Sequence, residues 1–133
     1  MPIKNGRLIL QREVSDFSER FTIDPNNLLS VGTFVRVATS GTFDIEVTTG
    51  SSDNRAIGVI YSLDRTNNPY VALKGRCIVK VRGTVAKGDR LVLSDYKGML
   101  VTNNSANIQD VKGVALTANS AQHGEVEAIL GTA

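Results

Sequence analysis

Lys87-Gly88-Asp89-Arg90-Leu91-Val92-Leu93 repeats the pattern of Val31-Gly32-Thr33-Phe34-Val35-Arg36-Val37, which lies about 55 residues earlier in the chain. In both copies a glycine stands before a short alternating strand, a turn follows, and a further apolar strand is entered through Gly58 or Gly113. A few β-strands cannot bury their own apolar face, so we expect the two copies to pack together.

Alternation of apolar and polar residues dominates the chain from residue 31 onward. Cys77, Val79 and Val81 fall on one face of a predicted strand, and charged residues fall on the other. Clusters rich in Gly, Asn and Asp separate such runs and predict turns. The pattern therefore predicts an all-β fold, a compact antiparallel β-sandwich or barrel built from two similar units at about residues 31–75 and 87–130.

Residues 1–28 lie outside the repeat and are predicted to form an N-terminal arm ahead of a β-domain at 29–133. The arm could form a short helix or run extended. Each large apolar side chain in it would gain about 1.5–3 kcal/mol on full burial, so two interpretations stay open. The arm folds back on its own core, or it lies across a neighbouring subunit, and disorder is the remaining alternative. Its candidate interface residues are apolar: Ile3, Leu8, Leu10, Val14, Phe17 and Phe21.

The overall composition excludes several classes of protein. The 133 residues suit one domain, and 15 basic against 13 acidic side chains give a net charge of +2, far from the basic excess of most phosphate-backbone binders. A single cysteine excludes an intramolecular disulfide. The first apolar run, residues 8–10, is too short for a signal peptide or a membrane span. We therefore expect a soluble protein that is made in a cytoplasm and has no membrane partner.

Residues suited to catalysis or metal binding are few. Cys77 lies in mid-strand on an apolar face, where thiols are usually inert, and His123 is the only histidine. One cysteine and one histidine exclude a structural zinc site. Glu125 and Glu127 lie about 7 Å apart on one strand face, but a solvated face or cross-strand pairing explains them better than acid catalysis. No phosphate loop or dinucleotide fingerprint is present. The sequence thus predicts no catalytic residues, no cofactor and no enzyme.

The concentrated charge of the chain is a basic stripe on one strand face, formed by Lys74, Arg76, Lys80 and Arg82. Binders of single-stranded nucleic acid interleave such charge with aromatic residues, whereas this stripe carries Ile78, which argues against nucleic acid. An acidic protein surface or pairing within the sheet fits the stripe better. Arg76, Lys80 and Arg82 are therefore the remaining candidate interface residues. Asp89, by contrast, is expected to tie its own loop rather than bind calcium.

The second half of the chain carries a pattern of glycines and strands that resembles a known family. The pattern of the family is G-x-V-x-x-G-D-x-V, which this chain matches from Gly83 with Leu91 in the last place, then a glycine turn at Gly98, G-x-A-L from Gly113 and a closing strand from Gly124, and it covers roughly residues 56–130. It resembles the decoration, or cement, proteins of tailed-bacteriophage capsids. The long N-terminal segment departs from that family.

The resemblance implies a β-rich homotrimer on the outer capsid surface of a virion, where it bridges subunits of the major capsid protein against internal DNA pressure. It implies no enzyme activity, no cofactor and no small-molecule substrate, and synthesis in a host bacterial cytoplasm. The alternative is a tail or baseplate adhesin module that binds glycans, for which Tyr61, Tyr70 and Tyr96 are the available tyrosine platforms.

Overall fold

A computed structural model describes residues 18–24, 30–39, 41–53, 55–63 and 69–131, with the side chains described from residue 21. These residues form ten β-strands and one short 3₁₀-helix at Ile108–Asp110, and no α-helix. The all-β prediction is therefore confirmed. The strands are β1 (Ser18–Arg20), β2 (Phe34–Val37), β3 (Ile45–Val47), β4 (Ala56–Leu63), β5 (Pro69–Ala72), β6 (Gly75–Arg82), β7 (Arg90–Leu93), β8 (Leu100–Thr102), β9 (Gly113–Ala115) and β10 (His123–Leu130).

Two sheets share these strands, and they have the same connectivity. The first sheet has the order β1-β5-β4-β2-β3, and the second is a closed barrel with the order β6-β10-β9-β7-β8. Adding five to each strand number of the first sheet gives the order of the second. We call residues 18–72 the first unit and residues 75–130 the second unit. The two similar units predicted from the sequence are thus present, and each begins one strand before the predicted repeat.

The register of the strands repeats as well as their order. Val35 pairs with Gly58 in the first unit, and Leu91 pairs with Gly113 in the second. Both glycines lie where the backbone of the neighbouring strand approaches closely, and a Cβ at either position would meet a main-chain carbonyl oxygen. The two glycines singled out in the sequence therefore occupy the same place in each unit, for the same steric reason.

The two units close in the same way. In the second unit a parallel pairing of Val81 with Leu100 joins β6 to β8 and completes the barrel. In the first unit an isolated parallel bridge joins Ile23 to Ile45, at the corresponding position. Closure leaves few unpaired strand edges, and it encloses an aliphatic interior. The first interior is formed by Ile23, Val35, Ile45, Ile60 and Val71.

The described end of the predicted arm belongs to the first unit. β1 pairs antiparallel with β5, Ile23 is only 2% exposed, and the half-buried ring of Phe21 packs against the first interior. For these residues the structure has the arm folded back on its own chain. The other candidate interface residues of the arm lie outside the described residues: Ile3, Leu8, Leu10, Val14 and Phe17.

The outer face of the first unit packs against the second unit. Phe34, Val59 and Ala72 form one cross-strand row, and all three belong to the buried cluster that fills the second barrel. The Phe34 N–H donates to the Gly98 carbonyl at 2.9 Å, and the Gly98 N–H donates to the buried Thr48 Oγ1 at 3.0 Å. The junction between the units is therefore continuous with the core of the protein.

Gly58→Ala is expected to destabilise the fold more than Gly113→Ala. A Cβ at position 58 would clash with the carbonyl oxygen of Ala72, whereas at position 113 it would stand 2.8 Å from the carbonyl oxygen of Ile129. Because a backbone carbonyl cannot rotate away, we expect urea denaturation to show a loss of about 3 kcal/mol for Gly58→Ala and about 1.5 kcal/mol for Gly113→Ala in the free energy of unfolding.

Gly50→Ala is the matched control, because the added Cβ would lie in ordinary contact, 3.8 Å from Asp95 Oδ1. Its free energy of unfolding should stay within about 0.5 kcal/mol of the parent. Equal losses for Gly50→Ala and Gly58→Ala would contradict the proposed close approach.

Candidate functional site

The outer face of β6 carries three of the four residues of the predicted basic stripe, and the fourth, Lys74, directly precedes the strand. Along β6 the buried residues are Cys77, Val79 and Val81, while the intervening side chains point outward. Register then sets their neighbours on β10, because the two strands pair along all eight residues of each. The resulting cross-strand pairs are Arg76 with Ile129, Ile78 with Glu127, Lys80 with Glu125, and Arg82 with His123. We call these eight residues the β6–β10 face.

One glutamate of this face, Glu127, pairs with the basic stripe. Arg76 Nε donates to Glu127 Oε1 at 2.8 Å, and Glu125 lies opposite Lys80 in register. Both side chains of the Arg76–Glu127 ion pair are solvent-exposed, so the pair contributes at most about 1 kcal/mol to stability. For Glu127 the structure has the cross-strand pairing that the sequence favoured over acid catalysis.

An exposed Arg–His–Tyr cluster ends the β6–β10 face. The Arg82 guanidinium carbon lies 3.7 Å from the centroid of the Tyr96 ring, and Arg82 Nη1 lies 2.7 Å from His123 Nε2. Since a guanidinium can only donate, His123 accepts through Nε2. Stacking and hydrogen bonding together fix the orientation of Arg82. Sequence reasoning missed this cluster, since Tyr96 comes from the distant turn between β7 and β8.

Cys77 and His123 do not form a catalytic pair. Cys77 points into the barrel opposite Ala128 on β10, whereas His123 points outward at the start of the same strand, opposite Arg82. Burial raises the pKa of the Cys77 thiol to about 12. A thiol that stays protonated at neutral pH is a poor nucleophile, so Cys77 serves as core packing.

Asp89 ties its own loop, as the sequence predicted. Its carboxylate accepts hydrogen bonds from Asn104 Nδ2 at 3.0 Å, from the Ala86 N–H at 2.8 Å and from Thr102 Oγ1 at 3.1 Å. These donors hold the pKa of Asp89 below its ordinary value. Within the described residues no group of three or more His, Cys, Asp or Glu side chains could hold a metal ion.

A polar cleft of about 560 Å³ lies between the two units. The loop that follows β3 supplies Ser51, Ser52 and Asp53, and the opposite wall comes from β7 and from the loop between β8 and β9. Asp53 is held in place. Burial alone would raise its pKa, but the Arg55 and Thr49 N–H groups and the Arg36 guanidinium keep it below its ordinary value. The lining contains no aromatic side chain.

The Cys77 thiol is expected to resist Ellman's reagent in the folded protein. Burial and the raised pKa together leave little thiolate at neutral pH. We expect complete reaction in urea and almost none in buffer over the same time. A Cys77→Ala, Ser105→Cys variant, whose thiol stands at an exposed position, is the control and should react in both conditions. Rapid reaction of native Cys77 would contradict its assignment to the core.

Asp89→Asn is expected to lower the melting temperature at neutral pH. Because the folded pKa lies below the unfolded value of about 3.9, the carboxylate stabilises the fold above that value, and this contribution disappears as the pH falls through the folded pKa. The parent and variant melting curves should therefore converge in acid. Asp110→Asn, in the exposed 3₁₀-helix, is the control. A difference that stays constant with pH would contradict the role of the carboxylate.

No protein-family model matches the chain, and no curated protein matches it either. In the part of the chain that the structure describes, no helix is long and apolar enough to cross a membrane.

Proposed function

We propose that this chain is a structural virion protein that decorates and stabilises a tailed-phage capsid. It binds the lattice of the major capsid protein from outside as a homotrimer and catalyses no reaction. The proposal starts from the glycine and strand pattern of residues 56–130, which resembles that family. It is supported by the positions of the pattern residues and by the composition of one exposed face.

The residues of the pattern shape the second barrel. Gly83 and Gly88 have positive φ angles of 85° and 91°, and between them Val85 exchanges two backbone hydrogen bonds with Asn119. With Asp89 they form the connection from β6 to β7, across the end of the barrel. A family recognised by such residues shares an architecture rather than a reaction. That fits a protein whose work is adhesion.

The observation that carries the proposal is the β6–β10 face. Its two strands pair over eight residues each, the longest strand pairing in the described structure. It combines cationic side chains with Ile78, which is 42% exposed. Arginine and exposed apolar groups on a rigid support are typical of protein interfaces. We propose that Lys80 and Arg82 meet acidic groups of the major capsid protein.

In a trimer, weak individual contacts with the capsid would be sufficient for attachment. Three β6–β10 faces on one trimer would reach a capsid lattice that repeats the same site, so binding of the first face raises the effective concentration of the other two. The face therefore needs no deep pocket, and the polar cleft between the units is lined by other residues. Interface charge of this kind also speeds association at low salt.

A second candidate function is a tail or baseplate adhesin module that binds glycans, which the polar cleft between the units favours. Its hydroxyl and amide side chains could bond sugar hydroxyls, although the tyrosines lie elsewhere. A glycan array decides between the two functions. Binding of a defined glycan that Asn107→Ala and Gln109→Ala abolish would favour the adhesin, and an empty array would remove it.

Charge reversal on the β6–β10 face is expected to weaken attachment to capsids. Lys80→Glu and Arg82→Glu should each raise the apparent Kd for expanded capsids stripped of the protein about tenfold, which corresponds to about 1.4 kcal/mol for a lost charged contact. Co-sedimentation with capsids over a concentration series measures this, and the parent protein should saturate its sites.

Arg55→Glu is the control, because it reverses an exposed arginine of the first unit, away from the face. Its affinity should match that of the parent. Failure of the parent protein to bind expanded capsids would overturn the proposed function. Equal affinity of all three variants with the parent would overturn the assignment of the face.

A further inference from the structure

The junction inside the chain is formed by two surfaces. One is the row Phe34–Val59–Ala72 on the outer face of the first unit. The other is the end of the second barrel beside the turn between β7 and β8, where Phe34 N–H bonds the Gly98 carbonyl. Since the units repeat in register, each surface has a counterpart in the other unit, and the counterparts can be located residue by residue.

The counterpart of the packing row is Arg90–Val114–Ile129, because these residues pair across β7, β9 and β10 as the first row does across β2, β4 and β5. We call it the outer row. Among the described residues this row is open to solvent: Arg90 is exposed, Val114 is half-buried and Ile129 is 37% exposed.

The glycines beside the two rows also differ in whether another part of the chain covers them. A Cβ at Gly32, beside the covered row, would lie 3.2 Å from the Lys80 side chain across the junction, whereas at Gly88, beside the outer row, it would meet no described atom within 4 Å. The surface that the first unit uses for packing is therefore present, and uncovered, on the second unit.

The counterpart of the barrel end is the turn between β2 and β3, which we call the first mouth. Ala38 N–H bonds the Asp44 carbonyl there, as Ser94 N–H bonds the Met99 carbonyl in the second unit. In the second unit this turn is covered by the first unit, because a Cβ on Gly98 would lie 2.6 Å from the methyl carbon of Thr33. In the first unit, Gly41 has no described atom within 4 Å of its Cβ position.

The first mouth opens as a cleft of about 500 Å³ among the described residues. Phe43 stands 38% exposed at its rim. Asp24 and Glu46 also line the cleft, Glu46 in an ion pair with Arg36 (Nε to Oε2, 2.8 Å), and Asp44 adjoins it in sequence. The outer row, in contrast, carries Arg90, and Arg76 stands beside its end at Ile129. A partly apolar surface that carries Arg90 thus exists on one unit, and a cleft lined by both apolar and acidic side chains on the other.

We infer that a second copy of this chain docks head to tail, with the outer row of one copy on the first mouth of the next, in the manner of the junction inside the chain. The inference rests on the homo-oligomeric part of the proposed function. Such a contact joins two different surfaces, so it is heterologous and propagates until the assembly closes. Three copies that close in this way form a ring of six similar units.

The replacement of Phe34 by Arg90 at the equivalent position explains why the two contacts differ in strength. Phe34 is 3% exposed and belongs to the core, so the internal junction is permanent. The aliphatic part of an arginine side chain can cover apolar surface while its guanidinium pairs with carboxylates. When the copies separate, the guanidinium is hydrated, so its exposure to water costs little. The contact between copies is therefore reversible, and the junction within a copy is not.

The test is a mixture of two variants followed by analytical ultracentrifugation, without capsids. Ile129→Asp disables the outer row, and Phe43→Arg disables the first mouth by setting a like charge against Arg90. At concentrations where the parent forms closed oligomers, each variant alone should be monomeric. Its apparent Kd for self-association should be at least tenfold higher than that of the parent. Mixed in equal amounts they should form a dimer and stop, because one intact row and one intact mouth remain.

Ile108→Asp and Lys97→Glu are the matched controls, since both are exposed and lie outside the two surfaces. Both should associate like the parent, and thermal melts should show that all variants fold. A monomeric parent would overturn the inference, as would a pair of variants that fails to form the dimer. If deletion of residues 1–17 abolishes association while Ile129→Asp and Phe43→Arg remain oligomeric, the arm makes the contact between copies. That result would also overturn the inference. Phe43→Arg keeps every residue of the β6–β10 face, so capsid binding by this variant would leave the proposed function standing even where the inference fails.

Discussion

Closure of five short strands around an aliphatic interior is the constraint on which the rest of the structure depends. Three-residue strands such as β3 and β8 are too short to hold a sheet by themselves. Curling the sheet until its ends meet pairs these strands on both sides and encloses side chains that an open sheet would expose. The curl needs close backbone approach, and Gly58 and Gly113 provide it at matching positions. Each unit thus depends on one position without a side chain.

Much of this architecture could be predicted from the sequence, because period-two alternation follows directly from burial on one side of a strand. β6 and β10 show it over eight residues, and their buried faces match the prediction. β1 was missed, since three residues within a charged segment carry no such signal. Thr48 was missed too. Alternation places it with Asp44 and Glu46 on a polar face, but it is only 1% exposed because the second unit covers it and Gly98 donates to it.

The candidate site could be predicted only in part, because strand periodicity is a local signal and contacts between distant residues are not. Register on two long strands places Arg76, Lys80 and Arg82 on one face, as the sequence suggests. What these side chains touch depends on partners far along the chain, such as Tyr96 under Arg82. Local periodicity contains no information on contacts of this kind. For the same reason the polar cleft, assembled from loops of both units, could not be anticipated.

A duplicated unit must use equivalent surfaces for unequal purposes. In the first unit the packing row is Phe34–Val59–Ala72, apolar and buried, and in the second the outer row is Arg90–Val114–Ile129, larger where Ile129 replaces Ala72 and charged where Arg90 replaces Phe34. If both rows were apolar, the second would be an exposed apolar patch on each separate molecule and would promote non-specific association. A charge at one position limits such adhesion to partners with a complementary carboxylate. The difference between Phe34 and Arg90 therefore separates the contact that makes one molecule from the contact that joins molecules.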